Sequence, residues 1–153
     1  MTPAARVQAA IEILDLVVAA ARDNGPPADR IVADWFRPRR FAGSKDRRAV
    51  RELVFAAIRS CGEIPQSGRA AMIALANQDP ALRALFDGST HGPTSLAPRE
   101  EGAQAGIAPQ WLADTLAASG IDGAEARALL DRAPLDLRVN VLKASRDAIE
   151  LPV

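Results

Sequence analysis

"GSKDRRAVRELVFAAIRSC" (residues 43–61) is the stretch on which the fold turns. Val50, Leu53, Val54, Ala57, Ile58 and Cys61 recur at i, i+3, i+4 spacing, the period of one buried face of an α-helix. Ser44 is a good N-cap, and Asp46 falls in the first turn, where the helix dipole favours negative charge. Arg48, Arg51, Phe55 and Arg59 share one flank, while Arg47 points closer to the rim of the core. Glu52 stands one turn after Arg48 and can pair with it. The expectation is a helix from Ser44 to about Ser60 whose apolar stripe other helices must cover.

"RPRRFA" (37–42) precedes it, and the charge of the two pieces together is one-sided. Over residues 37–51, Arg37, Arg39, Arg40, Lys45, Arg47, Arg48 and Arg51 face only Asp46, a net +6 in a chain whose 19 Lys and Arg balance 19 Asp and Glu. Charge polarised in this way steers a polyanion such as nucleic acid even when the total is zero. Arg39, Arg40, Lys45, Arg48 and Arg51 are the candidate phosphate contacts, at the entrance and flank of the helix. The competing reading is a solvated basic face with Arg48 paired to Glu52. Phe55 could stack on a base, against the plainer reading of packing on a neighbouring helix.

On the amino-terminal side, Thr2 followed by Pro3 reads as an N-cap with proline at the first helical position. Val7, Ala10, Ile11, Leu14, Val17, Val18 and Ala21 then repeat at helical spacing, and Ile13 and Leu16 widen the stripe, which places this helix centrally in a bundle. "DNGPP" (23–27) ends it, with Gly25 as the break, and a second helix from about Ala28 buries Ile31, Val32, Trp35 and Phe36 before Pro38 stops it.

Beyond Cys61, helices are expected at about Ser67–Ala76 and Pro80–Phe86. "DGSTHGPTSLAPREEGAQAG" (87–106) then loses periodicity and collects Gly, Pro, Ser and Thr, and it reads as a linker. Pro109 opens a helix through Trp111, Leu112 and Leu116 to Gly120, and Ala124 to Arg132 forms another. Trp35 and Trp111 are expected as core anchors. "LDLRVNVLK" (135–143) changes period: Leu137, Val139 and Val141 alternate with Arg138 and Asn140, as in a half-buried strand, and a helix is expected from Arg146. A lone strand has no partner, so the end of the sequence reads as the start of a second domain.

Composition sets the outer bounds. A chain of 153 residues fits one domain or one domain and part of another, and its apolar share rests on Ala and Leu with no Tyr, which favours helices. One cysteine, Cys61, and one histidine, His91, leave no intrachain disulfide and no cysteine-based zinc cluster. Cys61 on the core stripe reads as an inert small hydrophobe, and His91, in a Gly-Pro loop, as a turn residue. The longest apolar run, Leu16–Ala21, is too short to span a bilayer, so no membrane partner is expected and the cytoplasm is the natural compartment.

"ARVQAAIEILDLV" (5–17), "AGSKDRRAVRELVFAAIR" (42–59), "PQWL" (109–112) and "APLDLRVNVLKASR" (133–146), in this order and spacing, resemble the amino-terminal part of a bacterial RsmB/NOP-type (Sun/Fmu) ribosomal RNA cytosine-5 methyltransferase. The resemblance implies a mostly α chain. Residues 1–87 would be a NusB-like helical RNA-binding bundle, 88–106 a linker, and 107–153 a short α-rich segment with the first strand of a truncated α/β methyltransferase domain. It implies small-subunit rRNA as partner, with Arg138 and Asn140 as further RNA-facing residues in the intact enzyme. For that enzyme it also implies S-adenosylmethionine as methyl donor and catalytic cysteines in downstream motifs. No Gly-rich donor loop is present, so no cofactor-binding, metal or catalytic residue is assigned and the chain alone is expected to be inactive. A non-enzymatic NusB-like adaptor that binds a protein, RNA or both is the alternative.

Overall fold

The first helix, α1 (Pro3–Arg22), starts as its sequence requires: Thr2 Oγ1 accepts the Ala5 N–H at 3.2 Å, and Pro3, which has no N–H to lose, takes the first turn. In the computed structural model, which describes residues 1–131, 138–145 and 148, six more helices come after it among those residues. They are α2 (Ala28–Phe36), α3 (Ser44–Ser60), α4 (Gly68–Ala76), α5 (Pro80–Arg83), α6 (Gln110–Ala118) and α7 (Gly123–Ala128). The protein is mostly α, with no sheet among the described residues.

α1 is central, packing against α2, α3 and α4, while α3 also meets α4. Val7, Ile13 and Leu14 of α1, Val50, Val54 and Ala57 of α3, and Met72 and Ile73 of α4 are fully buried, and Trp35 and Phe36 of α2 close one side. Burial of each large apolar side chain contributes roughly 1.5–3 kcal/mol, which outweighs the modest helix propensity of the Val- and Ile-rich turns. α4 enters against α1 at Gly68. A β-carbon there would lie 2.5 Å from Asp15 N and against the Ile11 carbonyl, and the Gly68 N–H donates to Asp15 Oδ1 at 2.6 Å.

Two helix ends differ from expectation by one residue. Asn24, not Gly25, takes the left-handed conformation after α1 (φ 52°), and Gly25 N–H closes the turn on Ala20 O at 2.7 Å. Gly43 is the N-cap of α3, and Ser44 is its first helical residue. Leu16, expected in the stripe of α1, is half exposed.

Residues 87–106 have no helix and no strand, yet they do not merely span a gap. Pro93 and Ala103 are buried, Ala103 N–H donates to Ala70 O at 2.8 Å, and Gly62 and Gly106 pass backbone to backbone beside the isolated bridge between Cys61 and Ala105. The segment is a strap laid over α4.

Trp111 is not a core anchor: it is 69% exposed, and α6 buries none of its residues, because no described helix offers a surface to its apolar side. The strand expected over 135–143 does not form where it is described. Residues 138–140 are irregular and 141–143 turn, since no neighbouring strand supplies a ladder; residues 135–137 lie outside the described residues. The helix expected from Arg146 also lies outside them, Ala148 excepted.

Candidate nucleic-acid interface

The basic connector between α2 and α3 is tightly built. Arg39 N–H donates to Phe36 O at 3.0 Å and Ala42 N–H to Arg39 O at 3.2 Å, two successive turns that result from Pro38 breaking α2. The Arg39 guanidinium lies 3.8 Å from the centre of the Trp35 ring and donates from Nη1 to Trp35 O at 2.7 Å. Arg47, one turn into α3, donates from Nε to Ala42 O at 2.9 Å and covers the Phe36 ring at 5.4 Å. Arg47 is thus a structural clasp as well as a charge, which agrees with its place at the rim of the core.

Electrostatically, the decisive residue is Asp46. It is the lone acid of the segment, and it faces away from the segment's own cations. Its Oδ1 accepts from Arg6 Nε at 2.9 Å, and its Oδ2 meets the amino group of Met1 at 3.2 Å. The Arg6 guanidinium, with the amino terminus beside it, holds the Asp46 carboxyl below the usual carboxylate range. Arg37 pairs with Asp34 at 2.5 Å, and the Arg48–Glu52 pair of the competing reading is not formed. Among the described residues, Arg39, Arg40, Lys45, Arg47, Arg48 and Arg51 have no carboxylate partner.

These cations divide between two hollows on either side of α2. Arg47, Arg48 and Arg51 line a groove of about 410 Å³ between α2 and α3, floored by Val32, Ala33 and Phe36 with Asp29 at its edge. Their i, i+1, i+4 spacing stacks them along α3, and Arg51 also covers Phe55 at 5.4 Å, which leaves that ring half-buried. Arg39 instead lines an open cleft of about 1190 Å³ with Trp35, Phe41, Gln8, Arg69 and His91. Arg40 is exposed on the connector, and Lys45 is exposed in the first turn of α3. Sequence reasoning passed over Phe41, although an aromatic directly after Arg39 and Arg40 in a loop was the available signal.

Arg138 and Asn140 do not join this surface in any described contact. Arg138 is exposed. The Asn140 side chain is engaged locally, its Oδ1 accepting the Leu142 N–H at 3.1 Å while its carbonyl takes Lys143 N–H at 2.9 Å. Asn140 therefore caps a turn and does not project from a strand.

Cys61 is half-buried; burial pushes its thiol up, with Ser60 Oγ 4.0 Å away working against that shift, and no base adjoins it. No group of three or more His, Cys, Asp or Glu gathers among the described residues. No helix among the described residues is long and apolar enough to cross a membrane. No family model, curated protein or solved structure matches the chain.

Proposed function

We propose that this chain is the RNA-binding amino-terminal part of an S-adenosylmethionine-dependent 16S rRNA (cytosine-5) methyltransferase. It would position rRNA for a catalytic domain outside these 153 residues and be inactive alone, in the cytoplasm. The observation that carries the RNA reading is the set of six cations from the α2–α3 connector and the start of α3 that have no carboxylate partner among the described residues, Asp46, the acid of that segment, being paired with Arg6 and the amino terminus. Such charge is tolerated in water, but it gains most by releasing counterions from a phosphate backbone. Arg47, Arg48 and Arg51 line one groove and offer neighbouring cations to the phosphates of a strand, and Arg40 and Lys45 are exposed just before them in the chain. The methyltransferase reading rests on the ordered sequence resemblance.

Binding to helical fragments of small-subunit rRNA, measured by filter retention over a range of salt concentrations, tests this. The wild type should bind at low salt with a steep negative salt slope, and Arg48→Glu with Arg51→Glu should weaken binding and reduce the slope by about 2. Absence of binding at low salt, or a double variant indistinguishable from wild type, sinks the proposal.

A further inference from the structure

Phe41 is 74% exposed in a chain that buries Trp35, Phe36 and Phe86. Leaving a Phe in water forgoes most of its transfer free energy, so the exposed ring calls for an explanation. The residues on either side of it are anchored: Arg39 is stacked on Trp35, and Ala42 is buried, its carbonyl clasped by Arg47. A loop fixed at both ends presents Phe41 at the cleft between α1 and the α2–α3 connector.

The charges around that cleft select its occupant. Arg69 is paired with Glu100; the two carboxylates of the cleft sit on α1, where Asp15 accepts the Gly68 N–H and Glu12 the Gln8 amide, away from the connector that carries Phe41. Arg39 keeps its positive charge without a carboxylate partner among the described residues, and Arg40, next in the chain, is exposed and likewise unpaired. An exposed aromatic face beside two arginines without a carboxylate partner among the described residues, Arg39 held over Trp35 and Arg40 in solvent, suits an unpaired nucleotide, with ring on ring and phosphate on arginine. A duplex cannot use it, because its bases are already stacked.

We infer that Phe41, with Arg39 and Arg40, forms a stacking site for an unpaired RNA base, across α2 from the Arg48 and Arg51 groove. This rests on the RNA reading above and adds the class of RNA: a single strand, or a helix that ends in one. Gln8 and Glu12, which also line the cleft, are bonded to each other, Gln8 Nε2 donating to Glu12 Oε1 at 3.3 Å.

Equilibrium binding of a single-stranded oligonucleotide and of a blunt duplex to the full chain tests the site, with wild type, Phe41→Ala, Phe41→Trp and the Arg48→Glu, Arg51→Glu double variant. Phe41→Ala should weaken single-strand binding by roughly 5- to 100-fold and leave duplex binding unchanged, while Phe41→Trp retains single-strand affinity. Equal binding by Phe41→Ala and wild type, or a loss that falls equally on the duplex, overturns the stacking site alone, provided the double variant is weakened. Failure of the wild type to bind either RNA overturns the RNA reading and this inference with it.

Discussion

Arg39 and Arg69 line the same cleft, yet their neighbours give them opposite work. Arg69 donates from Nε to Glu100 Oε1 at 2.5 Å and from Nη2 to Oε2 at 2.9 Å, a bidentate pair, while the Thr94 and Ser95 carbonyls accept further bonds. Glu100 also accepts the Ala97 N–H at 3.1 Å, and the Arg69 bonds, with that N–H second, lower its pKa to about 2. An unfolded glutamate titrates near 4.3, so the folded value is depressed. The pair's stabilising contribution is therefore complete above about pH 4.3 and is lost as pH falls toward about 2. Glu100→Gln should flatten the fall in melting temperature across that window while lowering stability at neutral pH; an unchanged acid slope would show that the strap is not fastened by this pair. The partnership joins residues 31 apart and has no local signal in the sequence. The charge of Arg39 was legible at once, whereas its seat on Trp35 needed the turn made by Pro38.

Among the elements, α3 was the most legible, since its stripe at Val50, Val54 and Ala57 is buried as the spacing predicts. Its fit comes from period alone. α4 was legible as a helix but not as a close contact, because nothing local to Gly68 announces that the α1 backbone will lie against it. Gly68→Ala should cost roughly 1–3 kcal/mol by overpacking, since both nearest atoms are backbone and cannot rotate away. Urea denaturation measures it, and a change within about 0.5 kcal/mol would mean that α1 and α4 part easily. Residues 138–143 and α6 failed for a shared reason: alternation and apolar spacing describe what a segment can bury, and neither Val141 nor Trp111 has a described surface to bury it on. The six unpaired cations were half legible. Their positions are in the sequence, but the turning of Asp46 toward Arg6, across 40 residues, is a tertiary fact.

At the scale of the molecule, burial is unevenly distributed: α1 packs most extensively on α4 and α3, and the candidate RNA face flanks that core. α2 and α3, which carry the basic groove, are held on α1, and the strap fastens α4 through Arg69, Pro93 and Ala103. α6 has nine residues and no buried side chain, and its described anchor to the bundle is the Gln110 N–H donated to Glu63 Oε1 at 2.8 Å. An isolated helix of that length is marginal in water, so α6 should open without the bundle opening. Native-state hydrogen exchange should show amides of Val7–Leu14, Val50–Ala57 and Ala71–Ala76 exchanging only through global unfolding, and those of 114–118 at least roughly tenfold faster. Equally slow exchange in α6 would contradict this and make the chain one cooperative unit. A rigid basic face on the bundle and a loosely fastened α6 would let the bundle grip RNA whether or not α6 is folded.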